Sequence, residues 1–335
     1  MEALRVQLLA EKGEISVPSQ YVQPPENRPQ RENSNANVRA LPVIDLSSRT
    51  NLLDELKKAC KEWGAFQVIN HGVPTGLLDD MRRVGRTFFE GRTMEEKLRY
   101  SCDSASPASE GYGSRMLVAS NDSVLDWRDY FDHHTLPLSR RNPSHWPDSP
   151  AGYRKVVAEY SDHMKALAQE LLGLISEGLG LPCQCIENVV GEFYQNITIS
   201  YYPPCPQPEL TLGLQSHSDM GAITLLIQDD VGGLEVFNNG EWVTVNPMSN
   251  AICVILADQT EIITNGEYRS AQHRAVTNAG RSRLSVATFH DPAKTRQISP
   301  AFQPPRYRPV IYGDYVSSWY TKGPEGKRNL DAVLI

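Results

Sequence analysis

Apolar residues recur along this chain in two different periods, and the switch between them divides it. The helical period of 3.6 dominates the first half. Leu52, Leu53, Leu56, Ala59 and Cys60 predict an amphipathic helix over 50–62, and Leu77, Leu78, Met81, Val84, Phe88 and Phe89 predict one over 75–98. Tyr153, Val156, Tyr160, Met164, Leu167, Leu171, Ile175 and Leu179 predict a long helix from Gly152 to Leu179, stopped by Gly180 and Pro182. A short helix is expected over 1–12, then a connector rich in Pro, Asn, Gln and Arg from Pro18 to Arg39. Residues 101–114, with Gly111-Tyr112-Gly113, read as a flexible loop, and a further helix is expected over 314–320 at the cavity mouth.

Strand-like runs occupy 41–46, 66–70 and 126–134, and they dominate the chain from residue 197 onward: 197–202, 223–227, 234–237, 242–245, 252–255 and 284–289. Asn239-Gly240 is a hairpin signal, because both residues accept positive φ. Many short strands parted by turn residues predict an α+β fold, a double-stranded β-helix (a cupin-like jelly roll) flanked by helices. We expect an N-terminal region at 1–120 and a jelly-roll core at 121–335.

Composition narrows the partners. The 335 residues are 40% hydrophobic and 22% charged with a net charge of -7, which supports a sizeable core and argues against nucleic acid or an anionic membrane. Arg140-Arg141 reads as a solvated loop. The six cysteines form no Cys-x-x-Cys pair, so a zinc knuckle is not expected. The absence of a long apolar run or signal peptide leads us to expect a cytoplasmic monomer acting on a small molecule.

The candidate chemistry starts at His217-Ser218-Asp219. In an extended segment, residues i and i+2 face the same side, so an imidazole and a carboxylate can meet one metal ion. His273 is the best candidate for a third ligand. Two histidines and a carboxylate with open positions is a non-haem Fe(II) arrangement suited to O2. Arg283 and Ser285, again at i and i+2, can grip a carboxylate. A metal site beside a carboxylate clamp describes 2-oxoglutarate, chelated at one end and gripped at the other. Alternation on the same strand puts Phe289 and Asp291 on that side, a stacking platform and a hydroxyl partner for a planar substrate. His71 and the His133-His134 pair read as structural hydrogen-bonding groups.

These residues, with Leu41-Pro42-Val43-Ile44-Asp45-Leu46, the run 62–72 (EWGAFQVINHG) and the run 201–208 (YYPPCPQP), resemble the plant Fe(II)/2-oxoglutarate-dependent dioxygenases. The branch is that of anthocyanidin synthase, flavonol synthase and the jasmonate-induced oxygenases. The resemblance implies His217, Asp219 and His273 as catalytic iron ligands, with Tyr202 adding its hydroxyl to the Arg283–Ser285 clamp. It also implies Tyr130, Asp132, Phe289 and Asp291 as substrate-facing positions, decarboxylation of 2-oxoglutarate to succinate and CO2, and ascorbate as reductant. The expected reaction is hydroxylation or desaturation of a plant phenolic or flavonoid, with inactivation of a hormone such as a jasmonate as the alternative. Thr198 is neutral where some acid-binding relatives carry a base, which disfavours a carboxylate substrate. Ser200 stands where many relatives have Asn, and Ala257-Asp258 where they have Gly-Asp. Readings of other classes are a zinc hydrolase, which leaves the clamp without a role, and a non-catalytic cupin-like ligand-binding protein.

Overall fold

The computed structural model describes residues 5–13, 15–29, 39–48, 50–103, 110–114, 124–322 and 329–335. Its helices are α1 (Val6–Glu11), α2 (Leu52–Glu62), α3 (Thr75–Glu90), α4 (Met94–Leu98), α5 (Tyr153–Gly178), α6 (Cys185–Val190), α7 (Asp258–Ile263) and α8 (Tyr312–Lys322). The strands of the two main sheets are β1 (Val43–Asp45), β2 (Ala65–Ile69), β3 (Gly111–Gly113), β4 (Asp129–His134), β5 (Tyr194–Tyr202), β6 (Leu214–His217), β7 (Ile223–Gln228), β8 (Leu234–Asn238), β9 (Glu241–Thr244), β10 (Ile252–Leu256), β11 (His273–Ala275) and β12 (Arg283–Asp291).

An eight-stranded sheet, ordered β1-β2-β10-β7-β12-β5-β4-β3, faces a four-stranded one ordered β6-β11-β8-β9. This is the expected jelly roll. The N-terminal strands complete the large sheet: β1 and β2 extend it beyond β10, and β3 closes the other edge against β4.

Strand β12 shows how the sequence sorts the two faces. Leu284 and Val286 join the main core, where α2, α3 and α5 cover the outer face with Leu56, Met81, Val84, Tyr160, Met164 and Leu171. Arg283, Ser285, Ala287, Phe289 and Asp291 alternate with them and point between the sheets. There a smaller core of Leu226, Leu234, Val236, Val245 and Ile255 packs the two sheets together.

Two local expectations need correction. The helix predicted over 75–98 is broken at Gly91, and Thr93 restarts it as α4 through a reciprocal capping box with Glu96. The loop predicted over 101–114 contains β3; residues 104–109 lie outside the described set. Its glycines hid a strand that β4 requires, since a Cβ at Gly113 would lie 2.6 Å from the Tyr130 ring. The Asn239-Gly240 turn forms as read, with φ of 50° and 87°.

Candidate active site

His217 ends β6 and lies directly opposite His273 on β11, so sheet register alone brings the imidazoles together, with ring centroids 4.2 Å apart. Asp219 lies two residues beyond the strand end, in the turn toward β7, rather than in a continuous strand as the spacing suggested. The turn still delivers it. Asp219 Oδ1 is 3.5 Å from His217 Nε2 and 3.8 Å from His273 Nε2. Among the described residues, these three are the cluster whose ligand atoms converge as a metal requires.

Each ligand is also oriented from behind. His217 Nδ1 donates to the Gln215 carbonyl at 2.8 Å and His273 Nδ1 to the Ala271 carbonyl at 3.0 Å, so both Nε2 atoms face the shared point. Thr224 Oγ1 donates to Asp219 Oδ2 at 2.6 Å, which leaves Oδ1 for the metal. Burial alone would raise the Asp219 carboxyl, but His273, His217 and Thr224 hold it down at about 2. Burial, aided by His217, pushes His273 down to about 4. An ionised carboxylate and a neutral imidazole are the ligand-competent forms.

Strand register then lays out the rest of the cavity in rows across the large sheet. Tyr202 lies opposite Arg283; Tyr130, Ser200, Ser285 and Gln228 form the next row; Asp132, Thr198, Ala287 and Leu226 the third; His134, Asn196, Phe289 and Thr224 the fourth; Tyr194 and Asp291 the fifth. Every candidate named from sequence lies on this face or at the metal cluster.

The residues expected to clamp a carboxylate, Arg283, Ser285 and Tyr202, lie in the first two rows. Arg283 is 1% exposed, its Nη2 donates to Gln228 Oε1 at 3.0 Å, and its Nε and Nη1 have no partner among the described residues. Buried guanidinium protons left unpaired are costly. A carboxylate seated there would satisfy them, so the site fits the far end of 2-oxoglutarate. Burial would raise the Tyr202 phenol, but Arg283, Arg128 and hydrogen bonds from Ser285 and Ser200 bring it below its ordinary value.

At the far end, Phe289 and Asp291 are partly exposed on the inner face. Burial, with the charge of Asp219, raises Asp291 to about 7 against a hydrogen bond from Tyr312 of α8. Asp132 accepts a hydrogen bond from Thr198 Oγ1, and burial raises it to about 6. Helix α8 is further fixed by Tyr315 Oη, which donates to Asp258 Oδ2 at 2.6 Å.

His71 and His133 are structural, as read. The Val73 N–H donates to His71 Nδ1 at 3.2 Å, while fully buried His133 bonds the Ile197 carbonyl and Tyr153 Oη. The Arg140–Arg141 pair is not a solvated loop. Arg141 is pinned to the Thr135 carbonyl, Ser161 and Asp162, and Arg140 lies over the Tyr194 ring at 5.0 Å. Sequence reading also missed Thr224, Gln228 and Arg128. Arg128 was within reach, because it precedes Tyr130 and Asp132 on the same two-residue period.

Residues 193–292 match the 2OG-Fe(II) oxygenase superfamily, and 41–149 match the N-terminal region described as non-haem dioxygenase in morphine synthesis. Jasmonate-induced oxygenase 4 of Arabidopsis thaliana is 38% identical over 345 residues, spanning 98% of this chain and 96% of its own. Flavanone 3-dioxygenase 2 of Oryza sativa subsp. japonica is 36% identical over 334 residues, spanning 97% and 94%. The crystal structure of JOX2 in complex with 2OG, Fe and JA superposes with a TM-score of 0.92 at 35% identity, covering 100% of this chain and 98% of that one.

Proposed function

The chain belongs to the 2OG-Fe(II) oxygenase superfamily, and from that premise we propose that its prime substrate is a neutral, hydroxylated aromatic of the phenolic or flavonoid type. In this reading His217, Asp219 and His273 hold the iron, and Arg283, Ser285 and Tyr202 hold the distal carboxylate of 2-oxoglutarate. The bound iron, with O2 and 2-oxoglutarate, supplies the oxidising power, 2-oxoglutarate leaving as succinate and CO2. The chain's own work is to hold both molecules in register and to exclude water; ascorbate is the reductant we expect. Residues 1–120 act as the region that completes the sheet, and 121–335 as the catalytic core. We propose a cytoplasmic monomer with neither nucleic acid nor membrane as partner. No helix among the described residues is long and apolar enough to cross a membrane.

The observation that carries the substrate class is the chemistry of the inner face. Phe289 offers a flat apolar surface on the same face as two carboxyls, Asp132 and Asp291. Near neutral pH such groups exchange hydrogen bonds with hydroxyls, and where ionised they repel a substrate carboxylate. Thr198 beside them adds no cation.

A second reading, oxidation of a carboxylate-bearing hormone, is favoured by Arg140 beside Tyr194 and by the likeness to a jasmonate-bound oxygenase structure. Succinate release measured with flavanones, dihydroflavonols and simple phenolics against jasmonate-type acids separates the two. We expect turnover with neutral phenolics; turnover confined to the acids would transfer the assignment to the second reading.

A further inference from the structure

Arg128 is a buried cation that the metal cluster and the Arg283 clamp do not account for. It is 6% exposed and precedes β4 by one residue, on the same alternation as Tyr130 and Asp132. Its Nη1 donates to Ser200 Oγ at 3.1 Å, and its guanidinium carbon is 5.4 Å from the Tyr130 ring centroid. The backbone around it is rigid. The Trp127 N–H donates to the Leu212 carbonyl at 2.8 Å, Trp127 Nε1 to the Pro203 carbonyl at 3.2 Å, and both carboxylate oxygens of Asp129 receive N–H groups from Val6 and Gln7.

A buried guanidinium ordinarily has a carboxylate partner. Among the described residues, none lies within ion-pair distance of Arg128. Nearby acids are otherwise engaged. Asp126 Oδ1 accepts from Gln215 N and Nε2 at 3.0 and 3.2 Å, and Asp132 accepts from Thr198. Arg283 likewise lacks a carboxylate; Tyr202 lies opposite it, with the guanidinium carbon 4.7 Å from the ring centroid, and the charges of both Arg283 and Arg128 act on the Tyr202 phenol. Asp126 and Asp132 act on Arg128 only from beyond ion-pair distance, and Arg283 keeps two nitrogens unpaired among the described residues, so the two guanidiniums can still take an anion that arrives from outside.

We propose that Arg128 is a second cationic arm of the co-substrate clamp, reaching over Ser200 to the distal carboxylate of 2-oxoglutarate from the side opposite Arg283. The inference rests on the co-substrate site proposed above. Row position favours the co-substrate over the prime substrate: Ser200, Tyr202, Arg283 and Ser285 lie in the first two rows with Tyr130, and Arg128, one residue before β4, continues the alternation of Tyr130, whereas Thr198, Asp132, Phe289 and Asp291 begin at the third. The short Ser200 side chain places its hydroxyl against the guanidinium.

The test is anaerobic titration of the Fe(II)-loaded protein, followed by visible charge-transfer absorption, with two ligands. One is 2-oxoglutarate; the other is 2-oxobutanoate, the same chelating head without the distal carboxylate. We expect Arg128→Gln to weaken 2-oxoglutarate about tenfold while 2-oxobutanoate changes by less than about twofold, because only the first ligand carries the charge-assisted contact. Arg128→Lys, which keeps the charge and spares the fold, should lose about threefold. Equal losses for both keto acids would overturn the proposal, and so would a loss of Fe(II) affinity preceding any loss of 2-oxoglutarate. Unchanged 2-oxoglutarate binding with a raised KM for the prime substrate would place Arg128 in the other pocket. Wild-type protein that loads iron but binds no 2-oxoglutarate would instead sink the co-substrate reading itself.

Discussion

The end of the inner face at the His217–Asp219–His273 cluster and the end at Phe289 and Asp291, which we propose hold the metal and the substrate, are built on different plans. At the metal end the backbone is tied down several times over. The N-terminus of α7 and its side chains meet four successive carbonyls of the ligand turn: Asp258 N donates to Asp219 O at 2.9 Å, Gln259 Nε2 to Met220 O at 2.8 Å, Gln259 N to Gly221 O at 2.9 Å and Thr260 Oγ1 to Ala222 O at 2.7 Å. From the other side, Ala222 N donates to the His290 carbonyl. Asp258 also accepts from Ser270 Oγ at 2.6 Å, three residues before His273, so one short helix braces both parts of the ligand set. Phe289, Asp291, Asp132 and Thr198, which we propose meet the substrate, are partly exposed on the inner face, where single side-chain hydrogen bonds tie Asp132 to Thr198 and Asp291 to Tyr312. The difference follows from the tasks: a metal needs ligand atoms placed within tenths of an ångström, whereas substrate choice needs a surface that can change without loosening the iron.

The largest effect should come from the metal end. His217→Ala removes one of three ligands, and we expect loss of Fe(II) binding and a fall in succinate release of more than about a thousandfold. Retained iron affinity would show that the ligand set is misassigned. A smaller effect tests the bracing rather than the ligand. Thr224→Val keeps the shape but frees Asp219 Oδ2, so the carboxylate can rotate. We expect metal affinity, read by competition with a chelator, to weaken about 10- to 100-fold with folding intact. An unchanged affinity would mean that the α7 contacts alone fix Asp219, and the contrast between the two ends would then lie in the backbone only.

How much of this was legible in the sequence follows the same division. The Arg283–Ser285 pair could be read because it rests on local strand alternation, and the His217–Asp219 pair because its two-residue spacing brings the side chains together even through a turn. Which cavity they share depends on sheet register, and no short-range period reports that β11 pairs with both β6 and β8. Thr224 escaped for the same reason: its place beside Asp219 is set by the turn into β7. Helix α7 escaped because six residues after a strongly apolar strand give too short a period to detect, and Ala257-Asp258 stood out only as a departure from a pattern. Arg128 is the instructive miss: Tyr130 and Asp132 were named by resemblance, and strand alternation taken one step back from them would have reached it.

The smallest effect belongs to the substrate end and reads its charge directly. Burial raises the Asp132 carboxyl from its ordinary 3.8 to about 6, partly offset by the Thr198 hydrogen bond and by Arg128. Between those values the folded chain holds a proton that the unfolded chain has released, so raising the pH across the window costs stability. Asp132→Asn has no such proton to lose. A two-unit shift corresponds to at most about 3 kcal/mol, and for a side chain that is only partly buried we expect about 1 kcal/mol. Denaturant unfolding followed between about pH 4 and about pH 7 should therefore show wild type losing ground to the variant as pH rises. Parallel curves would mean that Asp132 stays ionised throughout, and a permanently charged carboxylate in the third row would exclude acidic substrates more firmly than the raised value implies.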